Sequence, residues 1–195
     1  MSLRARIRDD EAGIGLIEVV IAVAVINIAI MAMFAMFQAG ALSILRAARS
    51  SNASVVAERQ MELYRGLLYQ GMALNDPTVS AAATTGDTVH TSAAEWVSLA
   101  TQIRLPSTAA APAFSCATTA PECMPIQTAV TGPDGRTYRI DSYVTAYTPS
   151  GGVAGKQVTV YVRLASSTSS VLAKLTANFD KITGCIYGDA NNPCG

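Results

Sequence analysis

The most unusual chemical group in this sequence is a carboxylate at the start of an apolar stretch. From Val19 to Phe37 every residue is apolar except Asn27, and Glu18 directly precedes this run. An ionised carboxylate inside a membrane costs on the order of 3 kcal/mol at the helix centre unless a partner or a shallow position compensates it. Glu18 therefore predicts either a counter-charge supplied by another group or a place at the headgroup level of a membrane.

Four cysteines form the second set of residues with chemistry of their own. They fall as two close pairs beyond the apolar run, Cys116 with Cys123 and Cys185 with Cys194. An even number of cysteines in an exported domain indicates disulfides, although four cysteines allow three connectivities. A structural zinc site is the alternative, but its ligands are usually spaced more tightly. Proximity along the chain favours the two local disulfides.

The remaining sequence predicts a protein that is not an enzyme. It has a single histidine, His90, and it contains no Gly-rich phosphate loop, no metal-ligand spacing and no nucleophile with a base. We therefore expect no catalytic residues, no metal and no cofactor. The 14 basic and 14 acidic residues balance, which argues against a general nucleic-acid footprint.

Several tyrosines near two arginines in the sequence could indicate binding of a nucleic acid. Such a patch, with Arg139 and Arg163, is of the kind that binds single-stranded DNA. Cross-strand tyrosine packing on the solvent face of a sheet explains it more simply, so we predict no nucleic-acid binding. The tyrosines are Tyr138, Tyr143, Tyr147 and Tyr161.

The element that must position Glu18 is a long helix. No proline interrupts residues 13–70, and a mostly apolar stripe recurs at steps of three and four after the apolar run. The pattern predicts one helix from about Ile14 to about Leu68. Its 14–45 half is apolar all round and nearly matches a bilayer core of about 30 Å, and its 46–70 half is amphipathic. The predicted stripe is Leu42, Leu45, Ala48, Asn52, Val56, Arg59, Leu63 and Leu67.

The rest of the chain predicts a connecting region and a sheet. Residues 71–131 are rich in Ala, Thr, Ser and Pro and predict loops, with one short helix over 92–104 where apolar residues have helical spacing. Residues 132–195 alternate apolar and polar side chains and predict an antiparallel sheet of three or more strands, followed by a disulfide-closed C-terminal loop. The sequence thus predicts an α+β fold in which the long N-terminal helix packs on this C-terminal sheet.

The segment G-I-G-L-I-E-V, which begins at Gly13, resembles the processing site of type IV prepilins, whose usual form is G-F-T-L-I-E-V. The resemblance implies that residues 1–13 are a leader peptide and that prepilin peptidase cuts after Gly13. It also implies that Ile14 becomes the mature N-terminus, which the family methylates, and that Glu18 is the family's assembly acid. The stretch 57–65 resembles the end of the long helix in minor pilins of the PilV type and in type II secretion pseudopilins.

This resemblance implies a pilin-like fold and a structural role in a type IV pilus-like filament, as a minor pilin or a pseudopilin. The implied partners are other pilin subunits, prepilin peptidase, the membrane and an inner-membrane assembly platform. Arg4, Arg6 and Arg8 indicate a single-pass precursor in the inner membrane with a cytoplasmic N-terminus, although Arg46 and Arg49 beyond the apolar run weaken this bias. The assembled subunit would reach a cell-surface pilus or a periplasmic pseudopilus.

Two other functions remain open at this stage. Residues 39–41 have the small-residue pattern of an ordinary signal-peptidase site, and cleavage after Ala41 would release a soluble exported binding protein. Against it, the apolar run is longer than the roughly 7 to 15 residues of a signal core. The other possibility is a permanently anchored single-pass protein that never assembles. The mature N-terminal residue, Ile14 or Leu42, separates processing as a prepilin from release as a soluble protein.

Overall fold

The computed structural model of the chain describes residues 15–107, 116–150, 152 and 154–180. The chain divides into two compact units, Met1–Ala47 and Ala48–Gly195. After Gly15, the described residues of the first unit belong to one element, helix α1 (Leu16–Arg65), which continues without a break into the second unit. The absence of proline and the high share of Ala, Leu, Met and Ile explain the length of α1. The prediction of one long N-terminal helix is confirmed.

A connecting region of short elements follows α1 in the second unit. It contains one regular helix, a single helical turn and a parallel pair of two-residue strands. In chain order these elements are β1 (Leu74–Asn75), α2 (Asp76–Thr85), α3 (Thr88–Thr91) and β2 (Arg104–Leu105). Single 3-10 turns lie at Tyr69–Gly71, Leu99–Thr101 and Pro121–Cys123.

Helix α2 corrects the sequence prediction for this region. The sequence predicts loops here and a short helix over 92–104, but the regular helix is α2, and the helical structure within residues 92–104 is limited to a 3-10 turn. The side chain of Asn75 caps α2 by accepting a hydrogen bond from the Thr78 N–H at 3.0 Å, and Pro77 occupies its first turn. Gly86 ends it with a φ of 68°. These caps outweigh the loop-like Ala/Thr composition.

Four antiparallel strands form the sheet, in the spatial order of the chain. They are β3 (Ile126–Thr131), β4 (Thr137–Tyr147), β5 (Gly155–Leu164) and β6 (Ala173–Phe179). The strand β3 lies within the predicted connecting region, and it joins β4 through a turn in which Gly135 has a φ of 71°. The predicted α+β architecture, with a long helix on an antiparallel sheet, is confirmed.

The main core lies between the second half of α1 and one face of this sheet. From α1 it contains two alanines together with larger residues. From the strands it contains Ile140, Val144, Val158, Val160 and Val162. The buried residues of α1 are Ala53, Val56, Ala57, Gln60, Met61 and Tyr64.

The predicted stripe on α1 is therefore shifted from the observed buried face. Of its members, Val56 is buried and Leu67 packs at the margin of the core, whereas Leu42, Leu45 and Leu63 are exposed. The stripe follows the large aliphatic side chains, but the sheet accepts the face that carries the alanines. Contact with the sheet determines the buried face, and it is not visible in the periodicity of α1 alone.

The opposite face of the sheet is covered by the segment that runs from α3 to β2. The Tyr143 hydroxyl donates to the carbonyl oxygen of His90 at 2.7 Å, and the Ile103 N–H donates to the carbonyl oxygen of Val144 at 2.7 Å. Gln102 forms a bridge with Thr145. The second unit thus has three layers, with α1 on one face of the sheet and this segment on the other.

Candidate assembly and processing site

Glu18 lies in the first turn of α1. Its backbone N–H donates to the carbonyl oxygen of Gly15 at 2.8 Å, and its side chain is exposed. A carboxylate in the first helical turn is stabilised by the positive end of the helix dipole. Among the residues that the structure describes, Glu18 forms no ion pair. The helix start therefore presents a negative charge to whatever surrounds it.

The apolar run of α1 is exposed in the single chain. Its large side chains retain about half or more of their accessible surface, and Leu16 retains 84%. The most apolar window of α1 has a mean hydropathy of 2.7 and no buried residue, so this helix is long and apolar enough to cross a membrane. So large an apolar surface is not stable in water and needs lipid or other helices around it.

The peptide bond at the predicted cleavage site lies outside the described residues. Gly13 and Ile14 belong to that part of the chain, as does the leader 1–13. The predicted pair Cys185 and Cys194 also lies there. The structure therefore bears on Glu18, which follows the site, and it leaves the processing residues and the C-terminal disulfide as predictions.

The disulfide between Cys116 and Cys123 is present, as predicted. Both cysteines are buried. The loop that they close is held from two sides, because the carbonyl oxygen of Pro121 accepts from the Gln60 side chain on α1 and from the Gln127 side chain on β3, each at 2.9 Å. This disulfide loop thus fixes the edge strand β3 beside the long helix.

A buried charge cluster lies on the second face of the sheet. Its centre is Asp141, which is 0% exposed and accepts hydrogen bonds from two arginines, Arg139 at 2.7 Å and Arg163 at 2.6 Å. Arg139 also donates to Asp87 at 2.9 Å, and the Nδ1 atom of His90 lies 3.3 Å from Asp141. We call these five residues the Asp141 cluster. It ties α3 to β4 and β5.

The hydrogen bonds in the Asp141 cluster set the charge of its members. Burial by itself raises the pKa of Asp141, but hydrogen bonds from His90 and Arg139 hold that pKa below the usual 3.8. The pKa of Asp87 is lowered in the same way, because a bond from Arg139 outweighs its desolvation. The two carboxylates therefore stay ionised at neutral pH. Asp141 pairs with both guanidinium groups, and Asp87 pairs with that of Arg139 alone.

The predicted tyrosine patch is not a surface feature. Tyr138 is buried in the core on the α1 side, and Tyr143 is buried on the other side, where its ring stacks on His90 at 4.5 Å. Tyr143 and Tyr161 do pack edge to face at 5.7 Å, as cross-strand neighbours can. Their predicted place on the solvent face is wrong, because the segment from α3 to β2 covers them. Tyr147, the fourth tyrosine of the predicted patch, is half-buried.

The Asp141 cluster was not among the predicted site residues. The sequence did contain a signal for three of its members. Arg139 and Asp141 are two residues apart on one predicted strand and so share a face, and Arg163 on the next strand pairs with Arg139 on that same face. His90 comes from a separate element, so its approach to Asp141 depends on the tertiary fold.

Neither a search for metal ligands nor a comparison with known proteins adds a candidate site to this description. Within the described ranges, no group of three His, Cys, Asp or Glu side chains has an arrangement that would hold a metal ion. The chain matches no protein-family model, and no curated protein or solved structure is significantly similar to it.

Proposed function

We propose that this chain is the precursor of a structural subunit of a type IV pilus-like filament, as a minor pilin or a pseudopilin. The observation that carries the proposal is the exposed apolar half of α1 with one carboxylate, Glu18, in its first turn. The motif from Gly13 to Val19 supplies the reason to choose a filament over a plain membrane anchor. In the filament, the apolar halves of neighbouring subunits pack against one another.

Processing would create a cationic partner for Glu18. Hydrolysis after Gly13 by a prepilin peptidase frees the α-amino group of Ile14, a cationic group four residues before Glu18 in the sequence. In a bundle of such helices the carboxylate of one subunit meets the ammonium group of another. Contacts among Val, Ile, Ala and Met tolerate axial slip, but slip would separate two buried charges, so this pair sets the stagger of the helices.

The proposed route of the protein follows from the same features. The precursor spans the inner membrane once, with its N-terminus in the cytoplasm and the second unit exported. The disulfide of Cys116 and Cys123 supports an oxidising compartment for that unit. An inner-membrane assembly platform then transfers the processed subunit into a cell-surface pilus or a periplasmic pseudopilus.

The test is the substitution Glu18→Gln, which keeps the shape of the side chain and removes its charge. An unpaired ammonium group in a dry helix bundle costs several kcal/mol, so we expect incorporation into sedimented filaments to fall by about a hundredfold or more. The matched control is Glu62→Gln, which removes the same charge from the exposed side of α1. Both variants should be processed and should reach the membrane in wild-type amounts. Wild-type incorporation of the Glu18→Gln variant would contradict the proposal.

Sequencing of the mature N-terminus separates this function from the soluble alternative. A mature chain that begins at Ile14 supports the filament subunit, whereas one that begins at Leu42 means that residues 39–41 acted as a signal-peptidase site. In the second case the exported unit would act alone as a binding protein. The same measurement by mass spectrometry detects methylation of Ile14.

A further inference from the structure

A polar depression opens beside the Asp141 cluster, between α3 and the connection from β5 to β6. Its volume is about 350 Å³. Of the residues that the structure describes, those that line it supply one guanidinium group, four hydroxyl groups and one valine, and none of them is a carboxylate. The lining residues are Thr88, Val89, Ser92, Arg163, Thr168 and Ser169. We call it the Arg163 depression.

Arg163 is held in place before any ligand arrives. It is 7% exposed, its Nη1 donates to Asp141 at 2.6 Å, and its guanidinium lies 5.2 Å from the centre of the Tyr161 ring. A guanidinium has five N–H donors. In the part of the chain that the structure describes, the bond to Asp141 is the only hydrogen bond of the Arg163 side chain. Donors therefore remain for a ligand on a side chain whose position is already fixed.

The surrounding charges leave Arg163 able to attract an anion. Asp141 is shared, because it accepts from Arg139 through both carboxylate oxygens as well as from Arg163. The second carboxylate of the cluster, Asp87, bonds to Arg139 and not to Arg163. Arg163 thus has part of one carboxylate as its counter-charge, and among the described residues no acidic side chain lines the depression.

We propose that the Arg163 depression binds a tetrahedral oxyanion of the phosphate type. Arg163 supplies the charge and a pair of N–H donors, as guanidinium groups do for phosphate. The hydroxyl groups approach from two walls, since Thr88 and Ser92 belong to α3 and its end and Thr168 and Ser169 to the β5–β6 connection. Donors on separate walls suit oxygens that point in different directions, whereas a carboxylate has two oxygens in one plane. Free phosphate and a phosphate monoester share this chemistry.

The experiment is calorimetric titration of the full chain in a non-ionic detergent with inorganic phosphate, in a buffer free of phosphate and sulfate. We expect a Kd on the order of 1 mM, as for a small and solvent-accessible ligand. The double variant Thr88→Val and Thr168→Val keeps the shape of the walls and removes two hydroxyl groups, so we expect about tenfold weaker binding, or about 1.4 kcal/mol. Both positions are outside the Asp141 cluster, so this variant should fold normally.

Two further variants separate the site from general effects. Thr84→Val with Thr85→Val on α2 is the matched control, because those hydroxyl groups bond to carbonyl oxygens of their own helix at 2.8 and 2.9 Å. It should bind phosphate like the wild type. The substitution Arg163→Lys keeps the positive charge but loses the paired N–H donors of the guanidinium, so it should weaken phosphate binding at least several-fold.

The outcomes decide both the site and the class of ligand. Absence of binding by the wild type, or equal binding by the two double-threonine variants, would overturn the proposal. Acetate that binds as well as phosphate would overturn the assignment to a tetrahedral ion. Tighter binding of glycerol 3-phosphate than of inorganic phosphate would support a phosphate ester as the ligand, and the reverse order would support the free ion. None of these results depends on filament assembly.

Discussion

Replacement of Asp141 by asparagine isolates the energetics of the buried cluster. The substitution preserves the size of the side chain and removes the charge that two arginines share. Arg139 and Arg163 are each 7% exposed, so after the substitution two guanidinium groups remain buried with Asp87 as the remaining carboxylate of the cluster. Removal of one partner from a buried ion pair typically destabilises a protein by about 3–5 kcal/mol.

The expected loss lies at the lower end of that range, about 3 kcal/mol. Asp87 still compensates Arg139, and the amide oxygen of the new asparagine still accepts one hydrogen bond. Since the stability of a domain is of the order of 5–15 kcal/mol, the Asp141→Asn variant should fold but should unfold at a clearly lower denaturant concentration. The loss of stability is large because the buried guanidinium of Arg163 is left without its carboxylate partner. Removal of one partner from an exposed ion pair would cost much less.

The assay is urea denaturation of the full chain in detergent, followed by the fluorescence of Trp96. Trp96 is the single tryptophan of the chain, and its ring lies 5.1 Å from that of His90, so it reports when the segment from α3 to β2 leaves the sheet. Glu62→Gln is the matched control, because it breaks an exposed pair with Arg65 and should change stability by less than about 0.5 kcal/mol. Equal midpoints for the two variants would refute the account of the cluster.

The pH dependence of the same transition gives an independent check. The pKa of Asp141 in the folded chain is below its usual 3.8, because hydrogen bonds from His90 and Arg139 outweigh the effect of burial. A carboxyl with a lowered folded-state pKa stabilises the protein above the unfolded-state pKa, and that stabilisation is lost as pH falls through the folded-state pKa. The wild type should therefore lose stability on acidification below about pH 4, and Asp141→Asn should lose less over the same interval.

Two further substitutions test the other face of the sheet and its disulfide loop. Met61 is fully buried, so Met61→Ala leaves a cavity in the core and should lower the free energy of unfolding by about 2–5 kcal/mol in urea denaturation. Met31→Ala, in the exposed apolar run, should leave the stability of the second unit unchanged. Replacement of both Cys116 and Cys123 by serine should cost about 2.5 kcal/mol, because the disulfide closes a short loop. A reductant should lower the stability of the wild type but not that of the serine variant. Unchanged stability in either substitution would contradict the corresponding packing or loop-closure argument.

Local patterns in the sequence were sufficient for the features that depend on near neighbours along the chain. The long helix follows from an uninterrupted run of helix-forming residues, and the place of Glu18 at its start follows from position alone. The strand alternation around Ile140 and Val160 predicted which residues face the core. The disulfide of Cys116 and Cys123 followed from their proximity. In each case the deciding interactions join residues that are close in sequence.

Features that depend on distant residues were decided by the tertiary structure. The face of α1 that becomes buried is the one with Ala53 and Ala57, and this depends on the sheet that covers it, which the periodicity of the helix does not indicate. The second layer over the sheet exists because His90 and Tyr143, far apart in the chain, meet across it. The Asp141 cluster and the Arg163 depression arise only when that layer closes. Burial in a low-dielectric interior makes these charges depend on one another, and only the tertiary fold creates that interior.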